Sequence, residues 1–207
     1  MKNPLHYQLS EYDCGPTSML NAMSFLFERE ELPPEIIRNI MLYSLDCYGA
    51  DGVSGKSGTS CMAMMFLANW LSGVGHAGLL PISCRHLSGG EVHLGPSGYL
   101  CDALRRGGAA VVRLNMEGEH YVLFAGLEPG GVRLFDPYYR AEPFPEAPDI
   151  RLISGAPLSH NRVVPFPYFE GPAEGLYALG PQDGREAVIL FNDHTRLTEE
   201  NTVEYFI

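Results

Sequence analysis

Cys14 is the residue of this chain whose neighbours point to chemistry rather than packing. It sits in the run Gln8-Leu-Ser-Glu-Tyr-Asp-Cys-Gly-Pro-Thr-Ser18, six residues after a glutamine and at the start of an expected helix. A thiol there meets unpaired N–H groups and the positive end of the helix dipole, which favour the thiolate; at such sites a free-thiol pKa of roughly 8.5 can fall to roughly 3.5–7.5. A thiolate that attacks a carbonyl also needs a proton relay and donors aimed at the developing oxyanion. The side-chain NH2 of Gln8, one short loop away, is such a donor beside the backbone N–H of Cys14.

The relay should be a histidine, and the chain has seven: His6, His76, His86, His93, His120, His160 and His194. His120 stands out because it opens the strand-like run His-Tyr-Val-Leu-Phe-Ala. The returning run Val-Arg-Leu-Phe ends at Asp136-Pro137. In an antiparallel hairpin the start of the first strand lies beside the end of the second, so Asp136 is expected next to His120. A carboxylate at Nδ1 of the imidazole would fix its tautomer and stabilise its charged form. The remaining histidines read as surface or loop residues. Cys47, Cys61, Cys84 and Cys101 lack a partner motif and read as packing residues.

The elements that must hold these groups follow from periodicity. Residues 15–28 carry Met19, Leu20, Met23, Leu26 and Phe27 at helical spacing, with Pro16 in the first turn. A second helix is predicted over 34–45 and a third from Thr59 or Ser60 to about Leu71. One short strand is predicted near 79–84, and a short helix ends at Gly107-Gly108. Strands are then predicted over 109–114, 120–125, 132–135, 175–179, 186–191 and 202–207. Hairpin turns are expected at Pro129-Gly130-Gly131 and at 180–184. The proline-rich stretch 137–172 reads as a long ordered loop or flap. Helices first and antiparallel strands second is the α+β pattern. A single domain over 1–207 is expected, helical to about 108 and sheet-forming from about 109.

Bulk properties exclude several functions. Lysine and arginine total 14 against 25 acidic residues, a net charge of −11 with no basic run, which argues against nucleic-acid binding through phosphates. The opening MKNPLHYQLSEYDC has no apolar core of a secretory signal. No stretch approaches 18 apolar residues, so no membrane span is expected. Five irregularly spaced cysteines without CxxC read as reduced thiols of a cytoplasmic protein, not as a disulfide frame or zinc knuckle. Gly55-Lys56-Ser57 has the end of a phosphate-binding loop, but Ala50 stands where its first glycine belongs and no strand precedes it.

Gln8-x5-Cys14 with Asp13-Cys14-Gly15-Pro16-Thr17-Ser18, then His120-Tyr121-Val122, then Asp136-Pro137, resembles the peptidase C39 family. These are papain-like cysteine peptidases, best known as double-glycine leader peptidases fused to bacteriocin-exporting ABC transporters. The resemblance covers residues 1 to about 140. It implies a papain-like fold and hydrolysis of a peptide or protein substrate. It also implies Cys14 as nucleophile, His120 as general base and acid, Asp136 as orienter and Gln8 as oxyanion donor, with no metal or cofactor. Pro-Thr-Ser after Cys14-Gly15 is similar to the free-standing branch of the family, and the chain carries no ATPase domain. The insert at 46–60 and the tail at 140–207 have no counterpart, so cleavage after Gly-Gly does not follow. Two further readings keep the same residues: an acyltransferase that passes a Cys14 thioester to another acceptor, and a C39-like module that binds a peptide without cutting it.

Overall fold

The computed structural model describes residues 1–198. The expected strand at 202–207 lies outside the described residues. Three helices come first: α1 (Cys14–Leu26), α2 (Pro34–Ser44) and α3 (Cys61–His76). They are followed by β1 (Ile82–Ser88), α4 (Tyr99–Arg105), β2 (Ala109–Asn115), β3 (Glu119–Glu128) and β4 (Gly131–Phe135). β5 (Arg151–Leu152), β6 (Arg162–Pro165), the single turn α5 (Phe166–Phe169) and β7 (Glu186–Asn192) complete the described chain. The seven strands form one sheet in the order β1-β7-β2-β3-β4-β6-β5, with every pair antiparallel. The fold is α+β: helices packed on an antiparallel sheet.

Both sheet faces are covered, which explains the near-continuous apolar runs of β2 and β7. On one face Met19, Met23, Met64, Leu67 and Leu71 of α1 and α3 pack against Val111, Leu123 and Leu190. On the other, Leu100 and Leu104 of α4 share a core with Val122, Phe124, Phe144, Phe169 and Tyr177. Alternation along each strand sorts residues between these cores, so a one-residue slip would exchange them.

Several boundaries differ from the sequence expectation for identifiable reasons. α3 runs on to His76, beyond Leu71, because Gly75 is a packing residue and not a helix stop: a Cβ there would come within 1.9 Å of the Ile82 carbonyl oxygen. The strand expected at 79–84 is β1, shifted to Ile82–Ser88 after Pro81. The 137–172 stretch carries β5, β6 and α5 and buries Phe144, Ala147, Ile150 and Phe169, because the sheet edge beyond β4 needs a partner and its second face a cover. No strand forms at 175–179. Tyr177 adopts φ +61° and turns the chain inward, although its N–H still reaches the Asn115 carbonyl at 2.8 Å. The 180–184 turn therefore closes no hairpin. No helix among the described residues is long and apolar enough to cross a membrane.

Candidate active site

Cys14 is the first residue of α1 and is buried. Asp13 is the N-cap residue but spends its carboxylate elsewhere. Oδ2 accepts from Leu9 N–H (3.0 Å), and Oδ1 accepts from Ser10 N–H and Ser10 Oγ (2.7 Å each). Burial alone would raise its pKa. These donors outweigh that and hold the carboxyl below its ordinary value. The loop between Gln8 and Cys14 is thereby folded around a buried anion. Gly15 follows Cys14 because Thr59 presses on it; a Cβ would fall 2.2 Å from Thr59 Oγ1.

The helix is aimed by Ser18. Residues four apart share a helix face, so Ser18 lies one turn below Cys14. Its hydroxyl donates to the Tyr121 carbonyl of β3 at 2.9 Å. Cys14 therefore meets the preceding residue of that strand, His120. Asn21, a further turn along, exchanges two hydrogen bonds with the backbone of His6 (2.8 and 2.9 Å) and ties the N-terminal segment to the same helix.

His120 Nε2 donates to Asp136 Oδ1 at 2.8 Å. The neighbourhood is the expected one, but the nitrogen is not: the carboxylate holds Nε2, not Nδ1. Cys14 is a hydrogen-bond partner of the same imidazole, and Nδ1 is the nitrogen that remains for it. The difference follows from direction. Asp136 sits just past the end of β4 and meets the Nε2 tip of the ring. Burial disfavours the imidazolium. The Asp136 hydrogen bond and the Cys14 contact outweigh burial and push the pKa of His120 up to about 9.

Asp136 is fully buried, and its carboxylate is saturated with donors. Oδ1 also accepts the Tyr138 N–H at 2.8 Å, and Oδ2 accepts the Tyr177 hydroxyl at 2.8 Å and Nη1 of Arg162. Arg162, itself 1% exposed, donates further to the Tyr177 hydroxyl and to the Tyr138 carbonyl (2.6 Å). Asn161 brackets the Asp136 backbone, accepting its N–H and donating to its carbonyl, both at 2.8 Å. Sequence reasoning missed Asn161, Arg162 and Tyr177. They come from the stretch read as a loop and from the false strand. The one usable signal was a lone arginine before the apolar pair Val163-Val164.

Gln8 is half-buried, and its backbone N–H donates to the Pro137 carbonyl at 2.9 Å, which fixes it beside Asp136. Its side chain donates through Nε2 to the Ser10 carbonyl at 2.7 Å, while Oε1 is buried without a partner. An amide carries two N–H donors, so one proton of Nε2 is committed and one is not. Around this point Tyr7, Leu9, Tyr138 and Tyr139 are exposed. Tyr7 stacks edge-on against Tyr139 at 5.1 Å. Together with Arg140, Ile153, Asn161 and Arg162, Tyr7 and Tyr139 line a groove that runs up to the Asp136 cluster.

No family model matches the chain, and no curated protein matches it. Among solved structures it is similar to a double-glycine-motif protease from an AMS/PCAT transporter in complex with the leader peptide. That match has a TM-score of 0.46 and 12% identity over 91% of this chain and 89% of the other. It is also similar to the peptidase domain of Streptococcus mutans ComA, with a TM-score of 0.40 and 12% identity over 91% of this chain and 98% of the other.

Proposed function

We propose that the chain is a papain-like cysteine peptidase of the C39 type. The observation that carries this reading is the buried line Cys14, His120, Asp136, with the imidazole held at 2.8 Å by a carboxylate that has no access to solvent. An imidazole with a pKa of about 9 is charged at neutral pH, and a thiolate–imidazolium pair is the reactive form of a cysteine–histidine couple. The thiolate sulfur attacks the carbonyl carbon of a peptide bond. The carbonyl electron pair moves onto oxygen, which receives the backbone N–H of Cys14 and the uncommitted proton of Gln8 Nε2. As the C–N bond breaks, His120 gives its proton to the leaving amine and a thioester remains on Cys14. Neutral His120 then takes a proton from water, the hydroxide releases the acid, and the thiolate–imidazolium pair is restored. Asp136 fixes the ring throughout.

The substrate in this reading is a peptide lying in the tyrosine-lined groove, with leader or precursor peptides as the class that the Gln8, Cys14, His120 and Asp136 motifs imply. The test is labelling by a peptide carrying a thiol-reactive end group, mapped by mass spectrometry, alongside hydrolysis of a peptide library. Cys14→Ala should remove both the label and the hydrolysis, and His120→Gln should slow labelling of Cys14 by about 10²-fold or more. Labelling that persists undiminished in Cys14→Ala, on another cysteine, would remove Cys14 from the role.

A further inference from the structure

A second polar cluster lies on the face of the sheet covered by α1 and α3, away from Asp136. Four neighbouring strands bring one residue each to a common row: His86 of β1, Glu186 of β7, Arg113 of β2 and Tyr121 of β3. The ladders explain the row, since Arg113 pairs with Tyr121, Val112 with Ala187, and His86 with Val188. Cys61, first residue of α3, closes it from above. Its position is fixed by Ser60, which caps the helix on Ala63 N–H (3.1 Å) and takes Asp46 as its own acceptor from N–H (2.9 Å) and Oγ (2.5 Å). Neither Cys61 as ordinary packing nor His86 as a surface residue describes this arrangement: their donors face a buried carboxylate.

We propose that Cys61, His86 and Glu186 form a zinc site with three protein ligands and one open position. Cys61 Sγ lies 3.8 Å from His86 Nε2, and His86 Nε2 lies 3.3 Å from Glu186 Oε2; all three ligand atoms fall within 4.8 Å of one another. Tetrahedral zinc with bonds of about 2.3 Å to sulfur and 2.0–2.1 Å to nitrogen or oxygen needs edges of about 3.6 Å and about 3.4 Å, so the two edges at His86 already stand near the spacing an ion requires. A thiolate and a carboxylate neutralise the two charges of the ion. The cluster is built as metal sites are, with outer partners that orient a ligand. Tyr121 Oη donates to Glu186 Oε1, and Arg113 Nε stands 3.5 Å from that same oxygen, which leaves Oε2 as the oxygen turned to His86 and Cys61. The charge of Arg113 opposes a cation, but Glu119 offsets it at 2.8 Å. Glu186 is 1% exposed while Cys61 is exposed, so the ion would enter from the helix side and keep a water in its fourth position. The sequence hid the site because its ligands come from three distant elements and follow no spacing rule.

The site is independent of the peptidase reading, and its test keeps the two apart. The full chain carrying Cys14→Ala, which removes the other cysteine–histidine pair, is titrated with zinc against a competing chelator and separately with cobalt(II). One zinc per chain and a cobalt–thiolate charge-transfer band are expected. Cys61→Ser and His86→Gln, placed in the same background, should each weaken zinc at least about 100-fold, more than the loss of an outer partner does, and Cys61→Ser should abolish the band. No bound zinc, or zinc binding that neither substitution changes, overturns the proposal. Where a variant is unfolded, alkylation of the unsubstituted chain decides: zinc should protect Cys61 and leave Cys47 reactive, and equal alkylation of Cys61 with and without zinc overturns it.

Discussion

Replacing Arg162 with glutamine tests the frame behind His120. Asp136 is fully buried, and Arg162 is the cation that faces its Oδ2 from inside the protein. Glutamine keeps a donor but removes the charge, leaving a buried carboxylate balanced by His120 alone. Breaking such a pair costs about 3–5 kcal/mol, a large part of the roughly 5–15 kcal/mol that holds a domain folded. Tyr177→Phe is the milder companion. It keeps the ring that packs on Phe144 at 6.0 Å and deletes one hydrogen bond to a charged group, worth about 1.5–3 kcal/mol. Arg162 and Tyr177 bind the same oxygen and each other, so the double variant should lose less than the two single losses combined. Urea unfolding at neutral pH measures all three, with Arg151→Gln as a control. Arg151 makes an exposed pair with Glu128, and its loss should cost at most about 1 kcal/mol. An Arg162→Gln chain within 1 kcal/mol of the parent, or strict additivity with Tyr177→Phe, would refute the account of Asp136 as a carboxylate stabilised by this pair. Tyr177→Phe should also lower kcat more than it raises KM, because a loosened Asp136 misorients His120 while Tyr177 does not line the groove.

The pKa of His120 makes stability depend on pH. It lies at about 9 when folded and near its ordinary 6.5 when unfolded, so the folded state binds the proton more tightly. That contribution is complete below about pH 6.5 and is lost as pH rises through 9, a fall of about 3 kcal/mol that urea midpoints should track and His120→Gln should flatten. A parent midpoint that stays level or climbs across this window contradicts the pairing. Gln8→Ala should lower kcat by about 10²–10³-fold, the loss of one oxyanion donor, with KM little changed. A loss of less than about 5-fold would assign oxyanion binding to the backbone and not to Gln8.

What the sequence disclosed and what it concealed divide along contact range. Cys14, Gln8 and the hairpin pair His120 and Asp136 were legible because each depends on local rules: a helix start, a fixed loop length, the geometry of an antiparallel turn. The supporting shell was not. Arg162 reaches Asp136 across 26 residues and Tyr177 across 41, and neither belongs to a motif. Tyr177 was actively misread, because the apolar run around it satisfies strand periodicity while its backbone adopts the left-handed region that disfavours bulky residues. Such a conformation costs of order 1–3 kcal/mol and persists where surrounding contacts fix it. Here those contacts are Asp136 and Arg162. The stretch 137–172 was misread for a related reason: its prolines break periodicity, yet β6 has only to supply one short run of edge pairing to β4.

The two polar clusters also bear on how the fold selects its register. β3 carries His120 and Tyr121 side by side, and alternation sends them to opposite faces. His120 goes to Asp136, and Tyr121 goes to Glu186. The same residue's carbonyl takes the Ser18 hydroxyl from α1. A slip of β3 by one residue would bring either the Tyr121 phenol to Asp136 or the His120 imidazole to Glu186, according to its direction, and would break the native pair at both carboxylates. It would also leave Asp136 without the base that the proposed chemistry needs. Apolar alternation alone specifies the register of this strand weakly at its first turn, where Glu119 is exposed and the core has not begun. The buried carboxylates on either side specify it at that end, since each accepts from only one of the two neighbours in the native pairing. Groups that cost desolvation thus fix the place where helix, strand and nucleophile must meet, a role in which buried charges are best attested.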